Sequence, residues 1–362
     1  MSCEKSPVLD HVDELVLKQG RSVRVVWLDV ARVLACFLII ANHVAFYTGE
    51  IYRIIWAQFL AGRTSFFMIA AGYFVGVQYL RKFQGNLPWL IWRRSYFLLK
   101  PYLFWSLISL MTIGWSQYNE NYLQYADFYR YIDNINSEEW YEAMWALFKS
   151  FGVAGHPCDA PMWFLRDIIV YTVFAPILVR LGRLLLPTGV LLLLLMSCIS
   201  EVTQHSYPSL ASLGFFVIGL WLSRFSLHEL TLKIEPYAWL WTILTLALTP
   251  YIIIYREAYQ IWMLPLGVMG IMSTSILITR FFPNLASKIA SWAPACFFVF
   301  ATHYIVIIFI RESDIIPYKG WLWDLTWLGL IPVIYAFLAF IFFKLCRYAP
   351  KSIPWIGAYR VK

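Results

Sequence analysis

Arg32 and His43 stand eleven residues apart inside LDVARVLACFLIIANHVAFYTG, residues 28–49, a run long enough to cross a bilayer. At about 100° per residue, eleven positions make close to three turns, so both side chains share one helical face, roughly 16 Å apart along the axis. Asp29 precedes Arg32 by one turn and can pair with it. An arginine at a helix end can snorkel to the interface, which accounts for Arg32 alone. His43 lies too deep for that. Ionisable groups at this depth face a protein interior or a wet cavity and usually mark function, with a buried structural histidine as the alternative. A deep imidazole can take a proton from a hydroxyl.

Further ionisable residues follow in apolar surroundings. Gly62-Arg63 precedes FFMIAAGYF, and RRSYFLLKPYLFW carries Arg93 and Arg94 at a membrane edge, with Lys100 one to two turns in. MWFLRD places Arg166 and Asp167 just inside the opposite edge, and FFVFATHYIVI places His303 at mid-membrane. Each could be a private salt bridge. Together they describe a tunnel with cations at one mouth and imidazoles deeper in. A cationic mouth suits a ligand with several phosphates. Acyl-coenzyme A has the required shape: an anionic nucleotide head, a narrow arm and a reactive thioester tip.

The elements that must hold these residues are helices in a membrane. Of 362 residues, 60% are apolar and 14% charged, whereas soluble domains average about a quarter charged. Apolar runs of span length recur throughout, which predicts an all-α, polytopic membrane protein. Ten spans are expected, near 25–47, 55–79, 95–117, 162–182, 184–201, 209–225, 237–254, 259–280, 290–311 and 321–345. With the N-terminus inside, nineteen Lys and Arg fall in cytoplasmic segments against six outside. That bias puts both termini in the cytoplasm, and the plasma membrane is the expected location. The net charge of +8 is spread over short loops and forms no nucleic-acid groove. The six cysteines show no metal-type spacing, so neither a disulfide framework nor a metal site is expected.

Three segments flank or interrupt the bundle. Residues 1–23 form a polar N-terminal segment without a cleavable signal, and 7–19 read as an interfacial amphipathic helix or a disordered tail. The extracytoplasmic loop 118–161 is acidic and rich in Tyr and Trp. It reads as a lid or a sugar-contacting surface, although any single aromatic there fits an interfacial belt. Residues 348–362 form a cytoplasmic tail.

Arg32-x10-His43 within LDVARVLACFLIIANH, followed in order by FFMIAAGYF, MWFLRD and FFVFATHY, resembles the membrane-bound acyltransferase-3 family of bacterial glycan O-acyltransferases. The resemblance covers residues 24–347 and rests chiefly on the first motif. It implies transfer of an acyl group, acetyl foremost, from cytoplasmic acyl-CoA to a hydroxyl of an extracytoplasmic or lipid-linked glycan, with membrane lipid as surroundings. Acetyl-CoA would be a co-substrate, with no permanently bound cofactor. By the same likeness His43 is the general base or a transient acyl carrier, and Arg32 orients CoA or stabilises the thioester oxyanion. Arg94, with Arg93 and Lys100, holds phosphates; His303, Arg166 and Asp29 are secondary candidates. Two positions depart from the family pattern. Its Arg-x-x-Arg pair reads Arg94-x-x-Phe97 here, and Ala71 replaces a common serine. No appended soluble domain is read, so the acyl group is expected to pass straight to its acceptor. The competing reading is a transporter or flippase, whose charges would line a substrate path; inverted repeats would mark it, and none is visible.

Overall fold

The computed structural model describes residues 25–45, 63–81, 87–114, 161–199, 210–254, 263–312 and 321–356. The expected helix over 7–19 and nearly all of the 118–161 loop lie outside them. The described residues are helical, with no strand among them. A helix stands at each of the ten expected positions: α1 (Val26–Ala45), α2 (Arg63–Arg81), α3 (Leu87–Ser109), α4 (Met162–Val179), α5 (Leu185–Ile199), α6 (Leu210–Leu222), then, after the short α7 (Leu227–Ile234), α8 (Ala238–Ile254) and α9 (Met263–Phe281), and, after α10 (Pro283–Ala290), α11 (Cys296–Glu312) and α12 (Trp321–Tyr348). A short α13 (Ile353–Ile356) follows. Among the described residues, five stretches are long and apolar enough to cross a membrane, and a sixth counts if α6 and the 227–247 stretch, which meet at 104°, are one broken span.

Local chemistry sets several boundaries. Ser226 caps α7: its Oγ accepts from the Glu229 backbone N–H at 3.1 Å, and the Glu229 carboxylate accepts from the Ser226 N–H at 2.6 Å. Gly182, at φ 54°, lets the chain turn sharply between α4 and α5.

Small residues bring the helices together. Gly72 and Gly76, one turn apart on α2, face Gly219 and Ser223 on α6. A Cβ at Gly72 would run into the Phe216 carbonyl oxygen and stand 3.2 Å from Gly219 Cα; one at Gly76 would run into the Ser223 hydroxyl. Where lipid replaces water, such close approach supplies the packing attraction that holds helices together. Gly72→Ala should therefore force α2 from α6 and cost about 1–3 kcal/mol. Gly329→Ala, whose Cβ would meet nothing within 4 Å, is the control. Thermal unfolding in detergent separates them; equal melting temperatures would mean the α2–α6 seam yields.

α1 is the central strut, packed against α2, α9, α10, α11 and α12. Its direction relative to α11 follows from two contacts. The Cys36 thiol donates to the Cys296 carbonyl at 3.5 Å, and the His43 and His303 rings stand 5.1 Å apart. Each pair is seven residues further along its helix, so α1 and α11 run side by side in the same direction.

Candidate functional site

α1 and α11 together carry two levels of polar side chains, seven residues and roughly 10 Å apart. The first contains Arg32, Cys36 and Cys296, with Tyr335 of α12 against them. Arg32 Nη1 meets Asp29 Oδ1 at 3.3 Å, and its side chain remains 38% exposed. The Cys296 thiol lies 3.2 Å from the Tyr335 hydroxyl, which donates to the Trp292 carbonyl at 3.5 Å. Arg32 is within electrostatic reach of both thiols and of that hydroxyl.

The second level is the imidazole pair. His303 is wholly buried, and its Nδ1 stands 2.8 Å from the Phe300 carbonyl and 3.1 Å from that of Val299. Carbonyl oxygens only accept, so Nδ1 carries the proton and the neutral ring keeps a lone pair on Nε2. That Nε2 is buried and has no hydrogen-bond partner among the described residues. His43 keeps partial exposure, packs against both His303 and the Tyr304 ring, each at 5.1 Å, and lies within electrostatic reach of Arg63. An aromatic chain continues outward from His303 through Phe300 (6.3 Å), Phe164 (5.5 Å) and Phe67 (5.9 Å), tying the pair to α4 and α2.

The face between the two levels is packed shut. Cys36 is fully buried, Ile39 is 2% exposed, and both lie on the line joining Arg32 to His43. Along this line the described residues leave no open path between Arg32 and His43, because α11 packs on it. An apolar cavity of about 400 Å3, lined by Val33, Phe37, Thr245, Gly267, Gly270 and Trp292 among others, adjoins α1. It lies against the helix face roughly opposite Arg32 and His43, so it does not connect them.

The three cations of α3 separate. Arg94 turns toward α2, donating to the Gln78 side-chain oxygen at 2.6 Å. Arg93 lies over the Trp89 ring at 5.0 Å, and Lys100 over Tyr96 at 4.3 Å and Trp355 at 5.2 Å. Arg166 is buried against its neighbour: its Nε donates to Asp167 Oδ1 at 3.0 Å, Nη2 stands 3.0 Å from the same oxygen, and the Tyr171 hydroxyl donates to Asp167 Oδ2 at 3.4 Å. Tyr102 of α3 is within electrostatic reach of both charges. This arrangement suits a latch between α3 and α4.

A membrane bundle with a basic end, a two-histidine level deeper in and that order of motifs can be set against known families. A family profile described as an acyltransferase domain matches residues 25–346. The chain belongs to the acyltransferase-3 family. It is a multi-pass membrane acyltransferase. Comparison with curated proteins and comparison with solved structures each return no match. Within this acyltransferase-3 bundle, Tyr304 packs on His43 and Arg63 lies within its electrostatic reach; sequence reasoning counted Arg63 only among the tunnel's ionisable residues and gave Tyr304 no role. Alternation of the chain was the available signal for Arg63, since span two starts where span one ends. The pairing of α1 with α11 also had a signal: Cys36-x6-His43 is repeated as Cys296-x6-His303.

Proposed function

We propose that this protein transfers an acyl group, acetyl foremost, from cytoplasmic acyl-CoA to a hydroxyl of an extracytoplasmic or lipid-linked glycan, at the plasma membrane. The observation that carries this reading is the pair of imidazoles, one reachable and one buried with its tautomer fixed, in a chain of this family. The acceptor hydroxyl gives its proton to His43 as its oxygen bonds to the thioester carbonyl. The tetrahedral intermediate then collapses, the carbon–sulfur bond breaks, and the departing CoA thiolate recovers the proton. His303 acts through His43: packed against that ring at 5.1 Å, it offers the dipole of its neutral imidazole to the imidazolium and so stabilises it.

Arg32, roughly 16 Å from His43 along the axis, is too far to hold the oxyanion of a thioester at that ring. Arg63 is the nearer cation and takes that role, while Arg32, whose side chain is more than a third exposed, attracts the anionic head of CoA. Arg94, turned toward the interior, binds phosphate.

Purified protein with labelled acetyl-CoA is the direct test: thioester hydrolysis or transfer is expected, and a transporter would show neither. Arg94→Ala should raise KM for acyl-CoA by roughly tenfold to a hundredfold, the worth of a hydrogen bond to a charged group, with a smaller fall in kcat. An unchanged KM would leave Arg94 as the partner of Gln78 alone.

A further inference from the structure

Arg93 and Lys100 are seven residues apart on α3 and so share a face, and that face is turned outward. Trp89 and Trp92 beside them are 54% and 66% exposed. Arg93 Cζ lies 5.0 Å from the Trp89 ring centre and 6.0 Å from that of Phe97. Lys100 Nζ sits between Tyr96 and Trp355, and Trp92 stacks on Tyr96 at 5.9 Å. Neither cation has a carboxylate partner among the described residues, and no Asp or Glu occurs within 87–111 or 325–356.

The second wall comes from the far end of the chain. After α12, the segment Pro350–Ser352 and α13 fold back onto α3. Ile353 and Ile356 are buried, and Trp105 Nε1 donates to the Ile356 carbonyl at 3.1 Å. This hook, which lies beyond the family-matched residues, presents Trp355 to Lys100. Lys344, Arg347 and Lys351, all exposed, lie on it or in the last turns before it.

We propose that α3 and the C-terminal hook form a binding site for an anionic phospholipid. Its headgroup phosphate sits between Arg93 and Lys100, and its chains lie along the exposed ridge of Leu103, Leu107 and Met111, which turns back onto the same face beyond Lys100. The ridge favours lipid over a nucleotide phosphate. A phospholipid has a charged head and an apolar tail in that order, whereas the nucleotide of CoA has nothing to lay on a row of leucines. Basic clusters at the cytoplasmic ends of membrane helices recognise anionic headgroups in this way, and the aromatic rings hold the cations at headgroup depth.

Native mass spectrometry of the full-length protein in mixed micelles of phosphatidylcholine and phosphatidylglycerol tests the site without any turnover, so its result stands apart from the proposed reaction. Wild type should retain phosphatidylglycerol in preference to phosphatidylcholine. The Arg93→Gln/Lys100→Gln double variant should retain about tenfold less or lower still, whereas the charge-preserving Arg93→Lys/Lys100→Arg double variant should retain it. Equal retention of the two lipids, or unchanged retention after neutralisation, would overturn the proposal. So would loss in the charge-preserving variant, which would point to packing alone. Displacement of phosphatidylglycerol by free coenzyme A would overturn it too, reassigning the two cations to the nucleotide.

Discussion

His43→Ala should lower acyl transfer by about 10²–10⁴-fold, the range for a lost general base, while the protein stays folded and inserted. Alanine neither accepts a proton nor carries an acyl group, and the partial exposure of His43 means the truncation leaves no large sealed void. Transfer from labelled acetyl-CoA by purified variant and wild type measures the effect, with monodispersity in detergent as the folding control. Its partner sharpens the result. If His303 stabilises the His43 imidazolium through the dipole of its neutral ring, His303→Ala lowers kcat with little change in KM for acyl-CoA, and added imidazole restores part of the rate by refilling the vacated space. A packing role predicts the same recovery with an apolar ring of that size, which fills the space but offers no lone pair. Near-normal transfer by His43→Ala would make His43 structural and shift the search for the base to its neighbours on that level.

Asp167→Ala should destabilise the bundle by about 3–5 kcal/mol, because it withdraws the carboxylate that stands on a buried guanidinium. Asp167 is fully buried and Arg166 is 9% exposed. The pair lies between α3 and α4, with the Tyr171 hydroxyl on the remaining carboxylate oxygen. Asp167→Asn keeps the shape and an acceptor for Tyr171 but loses the charge, so it should fall between alanine and wild type. Replacing both members by Leu should recover much of the loss, since the cost lies in stranding one charge rather than in lacking the pair. Thermal unfolding of the four proteins ranks them. A double variant that is stable but inactive would assign Arg166 to the chemistry; one that is stable and active would leave it as a latch.

The composition, 60% apolar and 14% charged, together with recurring apolar runs of span length requires helices in a membrane, because the backbone cannot be left unpaired in lipid. The positions of those helices were equally legible, since apolar runs are local: α1, α4, α9 and α11 fall where the spans at 25–47, 162–182, 259–280 and 290–311 were expected. The shared face of Arg32 and His43 also follows from helical geometry without any tertiary information. Gly72 was visible only as part of FFMIAAGYF, and Gly76 follows that stretch. Their reason, the close backbone of α6, lies some 150 residues away in the chain.

What the sequence by itself determined is the class of protein, the placing of its helices and the order of the motifs that mark its family, because each is written in residues near one another along the chain. The tertiary structure alone decided which helices touch. It joined His43 to His303 across 260 residues, packed Ile39 and Cys36 between Arg32 and His43, and paired the buried Arg166 with Asp167. It also divided three neighbouring cations, sending Arg94 to Gln78 and leaving Arg93 and Lys100 among aromatics. Residues one apart on a helix point about 100° away from each other, and only the packing of the whole bundle fixes which of those directions is interior and which is lipid.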